Sequence, residues 1–321
     1  MISNKSEDRL EHFCTLFDSK FLPMGMSLHS SLMQQAQPFH LWILCMDEIV
    51  EQQLKELALP NVTLIPLHEV ETAALLSVKP GRSRAEYCWT LTPFTFQAVF
   101  ARDEQVKRVT YLDADLFFFD NPRILLNELD GSEKEVLITD HAYAPEYDAM
   151  VTSGRFCVQF LTFNNTPQAQ EVMHWWQDRC LEWCFARLED DKFGDQKYLD
   201  KWPELFPDRI HIVKQFDKTL APWNVRFMAR KFSGELKPVF YHFHGLRIIS
   251  PKTVRLYFRY RVGKLGLKLY ENYTLDLLKS LAIIKSCNIE VPFIPLEKGN
   301  FSSLRHFKRL IFREIQFAKI A

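Results

Sequence analysis

The sequence predicts an α/β fold with a mostly parallel central sheet flanked by helices. Apolar, β-branched and aromatic segments of strand length alternate with longer segments of helical periodicity. This β-α order repeats from the first segment to the fourth strand, and such an order implies parallel strands joined by right-handed crossovers. With 321 residues, the chain is long enough for one large domain and a smaller extension.

The first third of the chain supplies four predicted strands and three predicted helices. Pro93 lies within the third helical segment and marks a boundary or a kink, because proline lacks the amide hydrogen a helix needs. In chain order the elements are the strand at 12–18, the helix at 24–35, the strand at 39–47, the helix at 48–57, the strand at 61–67, the helix at 82–101 and the strand at 108–113.

The middle of the chain continues the alternation. The segment SGRFCVQFLTFNN, 153–165, predicts two short strands or one bent strand. The other predicted elements are strands at 135–140, 209–214 and 238–245, a long helix at 167–188 and a short helix within 193–206. We divide the chain into a catalytic domain, 1–250, and a basic helical C-terminal extension, 251–321.

Composition excludes several classes of protein. The chain is 47% hydrophobic and 14% aromatic, which is typical of a large folded core and not of a disordered chain. The first residues are polar and contain no apolar stretch of the signal-peptide type, and no apolar stretch reaches membrane-spanning length. We therefore expect no secretory signal and a cytoplasmic protein with reduced cysteines. GxGxxG and Walker motifs are missing, and we expect no nucleic-acid partner.

Charge is distributed unevenly although the formal net charge is zero. Residues 251–321 carry 14 Lys and Arg against 5 Asp and Glu, whereas residues 1–250 carry 26 against 35. The basic C-terminal part indicates contact with an anionic surface, either the inner membrane face or a phosphorylated glycan. The alternative is that its charges lie on a solvated helical face. A helix packed on the catalytic domain is the other interpretation of Leu304, Phe307, Ile311 and Ile315, which recur at helical spacing among Arg305, Lys308, Arg309 and Arg313.

Two carboxylates stand at the end of the predicted strand RVTYLD. Asp113 and Asp115 are two residues apart, so in an extended segment they point the same way. Like charges this close require a cation or water between them. Mg²⁺ and Mn²⁺ prefer such oxygen ligands and leave positions open for phosphate oxygens. The alternative is a turn in which Asp113 caps and Asp115 is solvated.

Three further segments carry candidate site residues. His242 and His244 share one face of the strand VFYHFHG and are candidate metal ligands or core histidines. Asp195 and Gln196 precede a short helix, as a helix cap or as a polar pair at the reacting centre. Arg82 and Arg84 reach a phosphate or a sugar, or pair with Glu86. His174, Cys180 and Cys184 are the weaker alternative of a zinc site.

The ordered set FCTLFDSKF, SRAEYCW, TYLDADLFFFDNP, GDQKYLD and YHFHG resembles that of the GT-A nucleotide-sugar glycosyltransferases. It is similar to bacterial cytosolic enzymes of glycan and lipopolysaccharide biosynthesis, and more distantly to the glycogenin-like family 8. The resemblance covers residues 12–248. It implies a GT-A fold and a metal-dependent hexosyltransferase that uses Mn²⁺ or Mg²⁺, a nucleotide-sugar donor, with UDP-sugar favoured, and a glycan or lipid-linked acceptor.

The resemblance also implies roles for single residues. It places Asp113 and Asp115 in the D-x-D metal and donor motif, with His242 as the late histidine ligand and His244 beside it. It places Asp195 and Gln196 near the anomeric carbon and the acceptor. The donor pocket is implied to contain Thr15, Asp18 and Arg84, with Arg247 in place of the usual diphosphate-binding lysine.

Two departures leave alternatives open. FCVQF replaces the Asn-Ser-Gly type of turn, and Arg247 with Ile248 replaces the late lysine motif. A degenerate domain that only binds a nucleotide sugar is therefore a second hypothesis. A phosphatase of the haloacid-dehalogenase type also begins with D-x-D after a strand. It fits DADLFFF poorly, because that family has Thr, Val or Gly soon after the second Asp and carries the motif near the N-terminus.

Overall fold

The computed structural model describes residues 9–232, 235–294 and 314–320. These residues form thirteen strands and ten α-helices. The strands are β1 (Glu11–Phe17), β2 (Phe39–Cys45), β3 (Val62–Pro66), β4 (Arg108–Leu112), β5 (Leu116–Phe118), β6 (Val136–Asp140), β7 (Phe156–Asn164), β8 (Ile210–Ile212), β9 (Thr219–Leu220), β10 (Phe240–His242), β11 (Arg247–Ser250), β12 (Thr253–Phe258) and β13 (Ile315–Lys319).

Side-chain caps begin several of the helices. Asp47 accepts a hydrogen bond from the amide of Val50, and Ser83 forms a capping box with Glu86. The helices are α1 (Leu22–Gln35), α2 (Glu48–Leu57), α3 (Ala73–Val78), α4 (Arg84–Arg102), α5 (Arg123–Asp130), α6 (Met150–Ser153), α7 (Pro167–Glu182), α8 (Trp202–Leu205), α9 (Val225–Lys231) and α10 (Gly263–Ser286). Among the described residues, no helix is both long and apolar enough to cross a bilayer.

The central sheet has seven strands in the order β3-β2-β1-β4-β7-β6-β8. Only β7 runs against the others, since it is antiparallel to both β4 and β6. The prediction of a mostly parallel sheet is confirmed. Because β2, β1 and β4 are neighbours and parallel, their carboxyl ends form one rim, at which Asp47, Asp18 and Asp113 follow the strands.

A second sheet brings the late histidine to this rim. Its order is β5-β10-β9, and His242 on β10 pairs with Leu116 at the start of β5. Since β5 begins directly after the Asp113–Asp115 turn, this pairing sets the histidine beside the two carboxylates. A third sheet, β11-β12-β13, follows in the C-terminal part of the chain.

Apolar side chains pack on both faces of the central sheet. In β1, Cys14 and Leu16 join one core cluster, while Phe13 and Phe17 join the other, as expected for a strand covered on both sides. A third cluster packs β10 against α10, with Tyr241 and Phe243 among its members. Helix α10 also contacts α1, where the hydroxyls of Ser27 and Ser280 lie 3.2 Å apart.

Several predicted elements differ from the structure. Pro93 lies inside α4 and marks no boundary. The packing of α4 on β1 and α7 stabilises the helix more than the missing backbone hydrogen bond destabilises it. Helix α7 ends at Glu182 and not at 188. The helical prediction for the C-terminal part holds in α10 and is wrong for β12 and β13, which pair with each other.

The basic tail is described only in part. Leu304, Phe307 and Ile311, predicted to lie on one helical face, are outside the described residues, whereas Ile315 begins β13. The division of the chain at residue 250 remains a prediction.

Candidate functional site

Asp113 and Asp115 lie in the turn between β4 and β5. The amide of Leu116 donates to the carbonyl of Asp113 at 3.0 Å, which closes the turn. The amide of Asp113 donates to the carbonyl of Gln159 on β7 at 3.1 Å, and the amide of Phe243 donates to the carbonyl of Asp115 at 2.8 Å. The turn is therefore held by the strands on either side of it.

His242 completes a compact group with these two carboxylates. Its Nε2 lies 3.1 Å from Asp115 Oδ1 and 3.7 Å from Asp113 Oδ2. The potential ligand atoms of the three residues lie within 4.8 Å of one another, and among the described residues no other group of three or more His, Cys, Asp or Glu side chains does so. Two carboxylate oxygens and one imidazole nitrogen suit Mn²⁺ or Mg²⁺.

Gln159 fixes the orientation of the histidine. Its Oε1 accepts a hydrogen bond from His242 Nδ1 at 2.7 Å, and both side chains are buried. With Nδ1 protonated, Nε2 faces the carboxylates, which is the arrangement that metal-bound histidines generally show. Sequence reasoning missed Gln159, although a polar side chain in the apolar strand FCVQFLTFN was a signal for it.

The protonation of the group reflects its crowding. Burial raises the pKa of Asp113 to about 6. The neighbouring His242 lowers this pKa, and the charge of Asp115 raises it further. Burial also opposes the charge on Asp115, but the neighbouring His242 outweighs it and lowers the pKa of that carboxyl. Burial would lower the pKa of His242, yet the adjacent Asp115 raises it well above the ordinary value. The imidazolium thus offsets the carboxylate charge that a cation would otherwise offset.

Asp195 lies near the same carboxylates. It is buried, and burial together with the charge of Asp113 raises its pKa to about 7. Its carbonyl accepts a hydrogen bond from Trp176 Nε1 at 2.8 Å. The preceding Gly194 has φ +55°, where a side chain would be strained. Asp195 caps no helix, contrary to one of the two interpretations, because the following 3₁₀ turn begins after Gln196.

Gln196 and the segment around α6 are joined. Its Nε2 donates to the carbonyl of Ser153 at 2.7 Å. The next residue, Lys197, is buried, and its Nζ donates a hydrogen bond to the carbonyl of Met150 at 3.3 Å. The turn that carries Asp195 therefore holds both ends of α6.

Arg84 connects the carboxyl ends of β1 and β2. Its Nε lies 2.6 Å from Asp18 Oδ2, and its Nη2 contacts Asp47 Oδ2. Asp47 also accepts from the hydroxyl of Ser19 at 3.0 Å. Half of the Arg84 side chain remains exposed, so this ion-paired group, which we call the Arg84 clasp (Asp18, Asp47 and Arg84), faces solvent at the rim.

The other predicted donor and metal residues lie around these two groups. Thr15 is fully buried in β1, and its hydroxyl has no hydrogen-bond partner among the described residues. Arg247 begins β11 and stacks on Phe21 at 4.7 Å, and its charge helps to lower the pKa of Asp115. His244 is exposed and lies outside the three-residue group, with its ring centroid 5.5 Å from that of His242.

Arg82 does not reach this site. Its guanidinium donates to three carbonyls at the end of α7 and beyond, those of Cys180, Leu181 and Cys184, at 2.6–2.9 Å. Glu86 instead accepts from the amides of Ser83 and Ala186, so the expected ion pair between Glu86 and an arginine is wrong. The zinc alternative also fails, because His174 is exposed while Cys180 and Cys184 are buried.

Comparison with solved structures shows a GT-A glycosyltransferase fold. The chain is similar to the bifunctional glycosyltransferase WbbM, with a TM-score of 0.53 and 13% identity, over 87% of this chain and 52% of that one. It is also similar to the glycosyltransferase GlyE of Streptococcus pneumoniae, with a TM-score of 0.50 and 16% identity, over 89% of this chain and 65% of that one. These identities support the fold and no more.

Comparison with known sequences identifies two relatives from Bacillus subtilis. No protein-family model matches the chain. The uncharacterized protein YfnD is 31% identical over 290 residues, which cover 86% of this chain and 91% of YfnD. The uncharacterized protein YfnF is 34% identical over 259 residues, which cover 76% of this chain and 84% of YfnF. At this identity and coverage, the chain belongs to the family of YfnD and YfnF.

Proposed function

We propose that this protein is a metal-dependent glycosyltransferase that moves a hexosyl group from a nucleoside-diphosphate sugar to a glycan or lipid-linked glycan. One observation carries the proposal. The Asp113–Asp115–His242 group lies at the carboxyl end of a central strand, where open α/β sheets bind their ligands. The GT-A fold shared with WbbM and GlyE supports the same function.

The three residues fit a divalent cation. Gln159 turns Nε2 of His242 toward the carboxylates, so two carboxylate oxygens and one neutral imidazole nitrogen can face the same ion. We propose Mn²⁺ or Mg²⁺ as the ion. When bound, it would hold the donor diphosphate and offset the charge that develops on the leaving group.

The remaining rim residues suit the donor. In the proposed complex, the nucleoside lies at the half-exposed Arg84 clasp, beneath which Thr15 is buried, and UDP is the favoured nucleotide. Arg247, whose charge acts on Asp115, would supply a cation for the diphosphate. We place Asp195 and Gln196 at the reacting carbon and the acceptor hydroxyl, because the charge of Asp113 acts on Asp195. Hydrogen bonds with Trp176 and Ser153 fix their turn.

The wider setting is also a proposal. A role in lipopolysaccharide or other surface-glycan biosynthesis, a cytoplasmic location and a peripheral contact with the inner membrane face follow from the motif resemblance and the basic tail.

Calorimetry with purified protein tests the function. UDP-, GDP- and dTDP-sugars are titrated with and without Mn²⁺, and release of nucleoside diphosphate is followed in parallel. We expect metal-dependent binding of one donor and slow turnover. Asp115→Asn should abolish both, because it removes a ligand charge from the group. Asp208→Asn is the matched control, since that carboxylate is fully exposed.

The outcomes separate the hypotheses. Binding of a donor without release or transfer would favour the degenerate sugar-nucleotide-binding domain. Absence of donor binding with and without metal would refute the glycosyltransferase proposal. Equal donor binding by Asp115→Asn and wild type would show that the carboxylate group serves other chemistry.

A further inference from the structure

A continuous set of aromatic rings leads away from His242. We call the exposed part of this set the ring wall and define it as Tyr147, His244 and Tyr260. Trp223 lies behind it, with its ring centroid 5.5 Å from His242, 5.6 Å from His244 and 6.3 Å from Tyr260. Tyr147 extends the wall beyond Tyr260 at 5.2 Å.

Hydrogen bonds hold this wall in place. Trp223 Nε1 donates to the carbonyl of His141 at 2.7 Å, which fixes the indole. The hydroxyl of Tyr147 accepts from the amide of Arg261 at 2.8 Å, which fixes the tyrosine against the segment that carries Tyr260. A rigid aromatic surface loses little conformational entropy when a ligand covers it.

The wall also remains accessible to a ligand. His244 is exposed, and Tyr147 and Tyr260 are half-buried, whereas Trp223 behind them is buried. The Arg84 clasp lies beyond the carboxyl ends of β1 and β2, while the wall comes from the segments that follow β6, β10 and β12. The ring wall and the Arg84 clasp therefore come from different elements, and the wall lies next to His242.

We propose that the ring wall is the acceptor subsite and that it binds a hexopyranose ring of the acceptor glycan. This inference rests on the proposed function. The C–H face of a pyranose is apolar with a slightly positive edge and packs on an aromatic face, while imidazole and phenol groups meet the hydroxyls at its rim. A lipid chain would favour a wall without these polar edges. Because the wall begins at a ring neighbouring His242, a sugar on it lies next to the donor phosphates.

Saturation-transfer NMR tests the subsite without requiring catalysis. The probes are methyl β-glucopyranoside, methyl β-galactopyranoside, methyl α-mannopyranoside and methyl N-acetyl-β-glucosaminide, each with and without UDP and Mn²⁺. We expect at least one to bind, with transfer strongest to the ring protons of one face. Tyr260→Leu should weaken that binding about tenfold, because it removes an aromatic face.

Matched variants separate stacking from folding. Tyr260→Phe keeps the ring face and loses one polar edge, so it should bind the same glycoside more tightly than Tyr260→Leu does. Phe232→Leu alters an exposed aromatic residue elsewhere and should leave binding unchanged. If Tyr260→Leu fails to fold, Tyr147→Leu replaces it, with the same expected loss.

The results also distinguish this inference from the proposed function. Donor binding in calorimetry with no glycoside binding to wild type, or with equal binding by the leucine variant, would overturn the acceptor subsite and leave the transferase proposal intact. Glycoside binding that the leucine variant weakens, without any donor binding, would support the wall as a sugar site and refute the transferase proposal.

Discussion

Gln159 has no role in the motif set, yet it controls the orientation of the late histidine. Replacing it with leucine keeps the size of the side chain and removes the acceptor for His242 Nδ1. We expect Gln159→Leu to weaken Mn²⁺ binding by about 10- to 100-fold, the usual effect of losing such a partner. Titration followed by electron paramagnetic resonance measures the affinity.

Gln52→Leu is the control for this measurement, since Gln52 is exposed on α2. Unchanged affinity in Gln159→Leu would show that the histidine is oriented by the fold alone.

Asp195 should make the metal-free protein less stable as the pH rises. Burial and the charge of Asp113 raise its pKa in the folded protein to about 7, above the ordinary aspartate value of 3.8. The folded state therefore keeps a proton that the unfolded state has lost between these two values. The free energy of unfolding should fall across this window by up to about 1.4 kcal/mol per pH unit from this group.

Asp195→Asn removes that proton equilibrium and should flatten the pH dependence of stability. Urea unfolding between pH 4 and 7.5 in the presence of a chelator measures the slope for both proteins. A slope that is equal in wild type and Asp195→Asn would show that Asp195 ionises normally in the folded state.

At the scale of elements, the carboxyl end of α7 is held by Arg82, which lies just before the start of α4. Arg82 donates to three carbonyls there and stacks on Phe185 at 4.6 Å. Arg82→Met keeps the aliphatic stem and loses the charged donors, so we expect a loss of stability of about 1.5–3 kcal/mol. Urea unfolding measures it, and Arg230→Met, at an exposed position of α9, should change stability little. An equal effect of the two changes would contradict this role.

The elements that could be predicted from the sequence are those with strong local signals. Helix α2 has an Asp47 cap and the predicted bounds, and β4 ends at the carboxylate pair as expected. By contrast, β12 and β13 form a pair whose members are more than fifty residues apart, so no local pattern identifies the partner. Val254 and Leu256 are buried at a period of two, as in a strand. The basic and aromatic residues around them nevertheless favour the prediction of a helix.

The same limit applies to the candidate site. The D-x-D pair and the late histidine are visible as motifs, and the structure brings Asp113, Asp115 and His242 together. Gln159 and Trp223 are not visible in this way, because each acts through a contact with a residue far along the chain. Arg82 had the same motif signal as Arg84, and only the packing of α7 separates their roles.

At the scale of the whole molecule, helix α10 forms part of the core around the site. Tyr273 on α10 stacks on Phe243 at 3.9 Å and meets Phe117 edge-on at 5.5 Å. Tyr273→Ala should cost about 3–5 kcal/mol, since it opens a cavity in this buried cluster. Tyr273→Phe should be neutral or stabilising, because the hydroxyl has no hydrogen-bond partner among the described residues.

Thermal and urea unfolding of both variants measure these changes. A strong loss of stability in Tyr273→Phe would show that the hydroxyl is satisfied, for instance by a buried water molecule.

Strand β10 faces two environments at once, because His242 turns toward the carboxylates while Tyr241 and Phe243 pack on α10. Binding of an ion to His242 should therefore also stabilise the packing of α10 on β10. By the same linkage, loss of this packing should lower the affinity for the ion by the same factor. Backbone amides of residues 263–286 should accordingly exchange with deuterium more slowly when Mn²⁺ is added, although none of them belongs to the carboxylate–histidine group. Helix α10 would then report whether Asp113, Asp115 and His242 have bound an ion.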